Sequence, residues 1–421
     1  MARALTVVTP VRDDRLEMLQ GVLHTVSDEV DAGRAPFPRA TTHFARWVLL
    51  PRATPAATAP VLLVLEANHD GSQGGWLTEL GLSAGSRLDA IYGCCAGWPA
   101  EAAAQRAWLA AHTLPAAAFY QGYPDHTVQA VANDRRLHQL AGQYLDQLGP
   151  AARKRSATEL RRGLREWLQR AQEREPGLAL APSEHGPPTA GSAGRIGRIV
   201  GALLLALPLA LLALPALLVA APLFLLRLRR LERSEPPDVY HQPVRFDPQL
   251  THEEDWQTQN QLTHLVTIKP GRLRMFVITN VLRVVGLIAR LRDNVGDLGG
   301  IPSIHFARWV ILPDRRVLFL SNFDGSWESY LGDFIDRAAK GLTGIWSNTE
   351  GFPRTDFLLW KGAEDEEAFK NWTRKHQLHT QVWYSSCPDA SIPNVHGDAA
   401  VRRGLGGELG EVESQRWLEE V

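Results

Sequence analysis

Apolar and polar positions along this chain fall into strand-like and helix-like periods that occur twice, on either side of one unbroken apolar run. In the first half, Ala4 to Thr9 predicts a short strand ended by Pro10, and Leu16, Leu19, Leu23 and Val26 mark one stripe of a helix over Arg12 to Val30. Thr42 to Leu50 and Val61 to Ala67 predict two further strands, and Trp76, Leu77 and Leu80 predict a second helix after Asn-His-Asp-Gly-Ser (68–72). Ile91 to Pro99 is expected as a fourth strand, then a helix over Ala102 to Ala111 and a strand over Ala117 to Gln121. The second half repeats the order. Leu262 to Ile268 is the first strand, Arg272 to Arg292 a long helix, and Ile304–Leu312 with Val317–Asn322 a hairpin. Trp327 to Lys340 is the next helix and Gly344 to Pro353 the fourth strand, with Glu364 to His376 and Thr380 to Ser385 as the added helix and strand.

Residue identity supports the duplication independently of propensity. HFARWVLLP (43–51) matches HFARWVILP (305–313), and Asn68-His69-Asp70-Gly71-Ser72 matches Asn322-Phe323-Asp324-Gly325-Ser326. Ile91-Tyr92 with Gly97-Trp98-Pro99 matches Ile345-Trp346 with Gly351-Phe352-Pro353, and Trp108 and His112 match Trp372 and His376. The order β-α-β-β-α-β in each copy is that of a ferredoxin-like unit.

Between the copies, Ile199 to Leu226 holds no charged or hydrogen-bonding side chain over 28 residues, with arginines at both ends. About 20 apolar residues suffice to cross a bilayer, so this run predicts a membrane-inserted segment. Prolines at 208, 215 and 222 and basic residues on both flanks favour a re-entrant hairpin bent near Pro215 over a tilted single span, with both soluble copies on the cytoplasmic side. The chain then divides into a first copy (1–128), a helical extension (129–175), a linker (176–194), a membrane segment (195–230), a second linker (231–258), the second copy (259–390) and a tail (391–421) with no assigned role. The basic helix inside the extension, Ala151 to Glu175, fits packing on the domain and lying along an anionic surface equally well.

Composition narrows the function classes. Charge is balanced at 45 basic and 46 acidic residues, and no basic and aromatic patch reads as nucleic-acid binding. Cys94, Cys95 and Cys387 have neither disulfide-framework nor zinc spacing, which suits a reducing compartment. Phosphate-binding loop, zinc-protease and esterase signatures are absent.

Geometry nominates one polar cluster. If Leu312 pairs with Val317, His305 lies opposite Asp324 and Arg308 opposite Ser321, with His43 and Asp70 as the first-copy equivalents. The structural alternative is that Asp324 or Ser326 caps the helix beginning near Trp327, with His305 as a satisfied neighbour. His376 shares a helical face with Trp372, an arrangement that core packing also explains; His379 and His396 are looser candidates.

Two tandem ferredoxin-like units resemble the dimeric α/β-barrel superfamily, and the resemblance implies an α+β fold in which both units form one intrachain barrel. Within that group, Ser321-Asn322-Phe323-Asp324-Gly325 is similar to the Gly-x-x-Asp-Gly motif of dye-decolorising peroxidases, without its leading glycine. That similarity implies a haem-dependent peroxidase-type oxidoreductase with Asp324, Arg308, His305 and Asn322 as catalytic residues and His376 beneath the iron. The other expectation is a non-catalytic membrane-surface module that binds an apolar small molecule or a protein. The bilayer is a partner in both readings, and no further metal ligands are assigned.

Overall fold

The structure, a computed structural model, describes residues 2–53, 59–181, 218–234, 250, 254, 257–291 and 301–421. It is a mixed α/β arrangement built on two four-stranded antiparallel sheets. Strands β1 (Arg3–Pro10), β2 (Thr42–Leu50) and β3 (Leu62–His69) form in the first half. Strands β5 (Gln259–Thr267), β6 (Ile304–Ile311) and β7 (Arg316–Asp324) form in the second.

Each sheet is completed by the other half. The short β4 (Ala118–Gln121) pairs with β6, giving the order β4-β6-β7-β5, while β10 (Val382–Ser385) pairs with β2, giving β1-β3-β2-β10. The alternation of side chains along these strands explains why both faces are apolar. Leu5, Val7, Ala45, Trp47, Leu63 and Leu65 face α1 (Leu16–Asp31) and α2 (Gln73–Ala84) in one core. Val48, Leu50 and Val64, one residue out of phase, meet Leu265, Val310, Leu312, Leu318 and Leu320 of the other sheet in a shared core. The second sheet's outer face packs on α8 (Arg272–Leu291) and α9 (Trp327–Trp346).

Several expectations are corrected. Neither copy is a complete ferredoxin-like unit: α3 (Ser86–Tyr92) and the end of α9 stand where a fourth strand was expected. Only single bridges, Val11 to Cys95 and Ile268 to Thr349, remain there. Short apolar runs fit a buried helix end as well as a strand, and Ile91, Tyr92, Ile345 and Trp346 are buried from helices. The helix that follows in each half is α4 (Ala102–Ala111) in the first and α10 (Glu366–His376) in the second. The two sheets face each other across the shared core and exchange edge strands, and among the described residues no strand pairing joins them.

The membrane-inserted segment is corrected too, because among the described residues no helix is long and apolar enough to cross a membrane. The described part of the run begins at Leu218, in helix α7 (218–234), which from Arg227 onward carries five charged side chains. Its charged end docks on the second half through Arg229 and Glu232. Residues 199–217, with the bend expected near Pro215, lie outside the described residues.

The extension and the tail form one further core. Helices α5 (Val128–Leu148), α6 (Ala157–Arg174), α11 (Ile392–Leu405) and α12 (Glu411–Leu418) bury Leu137, Leu140, Leu164, Leu168, Val401 and Leu405 together. Leu164 and Leu168 of the basic helix α6 thus pack inward, and Arg161 donates to the carbonyls of Gly404, Gly406 and Gly407.

Candidate functional site

The predicted histidine–aspartate contact forms, by a different register from the one expected. Ile311, not Leu312, pairs with Val317, and the ladder slips between Ile304 and Phe306, leaving His305 as the extra residue of a β-bulge. A bulge re-aims a side chain, and His305 Nε2 reaches Asp324 Oδ1 at 2.7 Å. The first half repeats the device: a bulge between Thr42 and Phe44 frees His43, whose Nε2 lies 3.1 Å from Asp70 Oδ1.

Both aspartates spend their second oxygen on a helix start. Asp324 Oδ2 accepts from the Ile392 N–H at 2.7 Å, and Asp70 Oδ2 from the Val128 N–H at 2.8 Å, where α11 and α5 begin. A carboxylate at a helix N-terminus satisfies a free donor and faces the positive end of the helix dipole. The cap therefore goes to α11, not to the adjacent α9, which is capped by Ser326 Oγ accepting from Ser329 N. Burial raises Asp70, but the His43 contact and the Val128 N–H outweigh it and leave the carboxyl below its usual range. His305 also meets the Tyr123 hydroxyl at 3.1 Å through Nδ1, and burial pushes that phenol well above its ordinary value.

Arg308 is not in this cluster. Its strand position points it across the gap between the sheets, where Nη1 donates to Leu5 O and Thr6 Oγ1 and Nη2 to Ala67 O and Asn68 Oδ1. Arg46, its counterpart in the repeated HFARWV segment, makes the mirror set to Leu262 O, Thr263 Oγ1, Ser321 O and Asn322 Oδ1. One carboxylate serves both guanidinium groups: Glu66 lies 2.7 Å from Arg46 Nε and 3.0 Å from Arg308 Nη2. Burial lowers both arginines, Arg308 to about 10, with Glu66 opposing the shift. The second-half equivalent of Glu66 is Leu320, and Asn322 Nδ2, whose first-half counterpart on Asn68 donates to Glu66, is buried without a hydrogen-bond partner among the described residues. Asn322 thus receives Arg46 and the Trp383 indole and does not approach Asp324 as a substrate-binding group.

His376 lies among Trp372 and His264, donating from Nδ1 to Trp372 O at 2.8 Å, and burial lowers its basicity. The space lined by His264, Leu262, Phe319 and Trp372 is about 20 Å³. Small-molecule and cofactor sites run to roughly 300–1,000 Å³, so these residues do not fit a haem. His379 lies in the loop after α10 and His396 on α11, and among the described residues no three His, Cys, Asp or Glu side chains converge as metal ligands.

Apart from the end of the apolar run at 218–226, sequence reasoning missed the outer surface. Among the described residues, fifteen large apolar side chains are exposed, and all but Met18, Leu82 and Val412 fall in three segments of the second half. These are 218–226 on α7, Phe276, Val284, Leu287 and Ile288 on α8, and Phe357 and Leu359 between the two-residue strands β8 (Thr355–Asp356) and β9 (Trp360–Lys361), with Trp360 at the start of β9. That last finger is held under strain. Phe357 and Leu358 have φ of 51° and 67°, and the buried Glu232 accepts from both of their N–H groups, from Thr355 Oγ1 and from Arg229. The available signal was the difference between the duplicated helices: α1 turns Glu17, Gln20, His24 and Thr25 outward, where α8 turns Phe276, Val284, Leu287 and Ile288.

The chain has no significant match to any protein-family model, curated protein or solved structure.

Proposed function

We propose that this chain is a binding protein rather than an enzyme, and that its second half rests on a lipid surface through side chains that the fold leaves in water. The observation that carries this reading is the contrast between α1 and α8. They occupy equivalent places on the two sheets, yet α8 leaves Phe276 61% and Leu287 55% exposed, with Val284 and Ile288 beside them, while the outer face of α1 is polar apart from Met18. Packing therefore does not demand an apolar outer face at this position, and a clustered apolar surface marks an interaction site. The finger adds Trp360 beside Lys361 and Asp356, an aromatic ring next to charged groups, as suits an interface between apolar and wet layers. The contact is with the surface alone and needs no spanning helix.

The interior supports the same reading. His305, Asp324, Arg308 and Asn322 are each committed to caps and to the joint between the sheets. The experiment is flotation of the full chain with phosphatidylcholine vesicles. Wild type should float, and L287S/I288S should stay at the bottom with an unchanged circular dichroism spectrum. A wild type that does not float, or a variant that floats equally well, overturns the proposal; a stable dimer that buries Leu287 would assign the face to a second copy.

A further inference from the structure

An open groove of about 370 Å³ runs along the outer side of α8 beside the turn between β6 and β7, lined by Arg272, Met275, Phe276, Thr279, Asn280, Arg283 and Arg315. It holds three guanidinium groups and no acidic side chain. The neighbouring carboxylate, Asp314, is occupied by Arg316 Nε at 2.8 Å. Arg315 is fixed at the rim, in the left-handed region at φ 66°, with Nη2 donating to the carbonyls of Lys269 and Gly271. Arg272 and Arg283 have no acidic partner among the described residues. Three cations gathered in a groove without a counter-charge among the described residues repel one another, and an anion relieves that repulsion.

We propose that this groove takes the phosphate headgroup of an anionic phospholipid, with Arg272, Arg283 and Arg315 around the phosphate and Thr279 and Asn280 as polar neighbours. This rests on the lipid-surface reading and adds headgroup choice to it. The source of the phosphate is a bilayer rather than a soluble metabolite, because the exposed apolar residues continue out of the groove. Phe276 is part of its lining, and Val284, Leu287 and Ile288 follow Arg283 along the same helix. Charge at the headgroup level and apolar side chains just beyond it match the layering of a membrane surface.

The test compares flotation with phosphatidylcholine vesicles and with vesicles that also contain phosphatidylglycerol. Each arginine near an anionic surface contributes on the order of fivefold to partitioning, so wild type should favour the mixed vesicles strongly. R272Q/R283Q should lose most of that preference and keep its binding to neutral vesicles. R162Q/R170Q, which removes equal charge from the exposed side of α6, should keep the preference. Equal wild-type binding to both vesicles overturns the headgroup site and leaves the surface reading standing, whereas no binding to either overturns both. Equal losses in the two double variants assign the preference to net charge and overturn the groove. Glycerol phosphate that saturates the groove and raises the melting temperature, with no vesicle preference, assigns it to a soluble phosphate and also overturns the proposal.

Discussion

Replacing Glu66 with leucine should separate the two sheets more effectively than any apolar truncation in either core. The carboxylate is 1% exposed and sits between Arg46 and Arg308, which are 0% and 1% exposed. At an effective dielectric of about 20, opposite charges about 4 Å apart interact by about 4 kcal/mol, so the two contacts together contribute roughly 8 kcal/mol. Removing the carboxylate also removes its own desolvation penalty of several kcal/mol. The net loss expected for a buried charge stripped of its partner is about 3–5 kcal/mol. A leucine side chain has the volume to fill the site but accepts nothing, and both guanidinium groups would remain inside with only neutral acceptors.

The assay is urea denaturation of E66L followed by tryptophan fluorescence, with a dye that reports exposed apolar surface. The variant should lose about 3–5 kcal/mol and bind dye before its helices melt, because the neutral acceptors of Arg46 and Arg308 across the gap all lie in the other half. Glu66→Gln, which keeps one acceptor oxygen, should fall between. A loss under about 1 kcal/mol, the scale of a surface ion pair, would show that the neutral acceptors alone hold the arginines and would refute the reasoning.

Two other predictions follow from the same interior. Leu320→Gln should be tolerated within about 1 kcal/mol, because it gives Asn322 Nδ2 an acceptor whose absence costs about 1–3 kcal/mol; Leu318→Gln in the same core should cost more, and equal losses by urea denaturation would count against it. Burial holds His69 and His126 down to about 4 from an ordinary 6.5, so the unfolded chain binds protons that the folded chain refuses across that window. Stability should therefore fall as pH drops from about 6.5 towards 4, by up to about 3 kcal/mol per histidine. Asp134, raised by burial to about 6, offsets part of this, since its folded state takes the proton more readily. A urea midpoint unchanged between pH 7 and about 4.5 would contradict the assignment.

The sequence carried the strand positions and the duplication well because both rest on period and identity. The HFARWV repeat located β2 and β6, and the same alternation placed Trp47 and Trp309 against helices. Register was harder to read: the hairpin turns one residue earlier than expected, so that Ile311 meets Val317, the bulge at His305 moves the pairing of Ile304 again, and nothing in the composition marks either shift. The histidine–aspartate contact survived that shift because the bulge itself turns the ring towards the end of β7. Arg308 was misplaced for a readable reason. An arginine in the middle of an apolar strand needs a buried partner, and VLLVLEA offers Glu66 at the matching place in the first half only. Edge-strand exchange left no mark, since β4 and β10 are four residues each and their partners are set by tertiary packing. The run after Ile199 reads as membrane-inserted from its composition, yet among the described residues no helix is long and apolar enough to cross a membrane, and α7, which holds the described end of the run, is bound to the second half through Arg229 and Glu232.

The duplicated elements have kept different things. Where the two halves meet, they match nearly residue for residue: Arg46 with Arg308, Thr263 with Thr6, Asn322 with Asn68, and a bulged histidine with a capping aspartate in each. A self-complementary joint requires that, because each half supplies both the arginine and the acceptors for the other's arginine. The departures are asymmetric. At the joint, Leu320 stands where the first half has Glu66, so two cations share one carboxylate. On the outside, α8 exchanges the largely polar face of α1 for phenylalanine, valine, leucine, isoleucine and two arginines, Arg272 and Arg283, with no acidic partner among the described residues, and the second half adds a finger whose left-handed residues cost about 1–3 kcal/mol each unless Glu232 holds them. Backbone strain, exposed apolar area and unpaired charge are all unfavourable to the isolated chain, and all three gather on the second half. A surface that is both apolar and anionic relieves the last two at once, which is why the outer face of α8, rather than the buried histidines, is the place to look for what this protein binds.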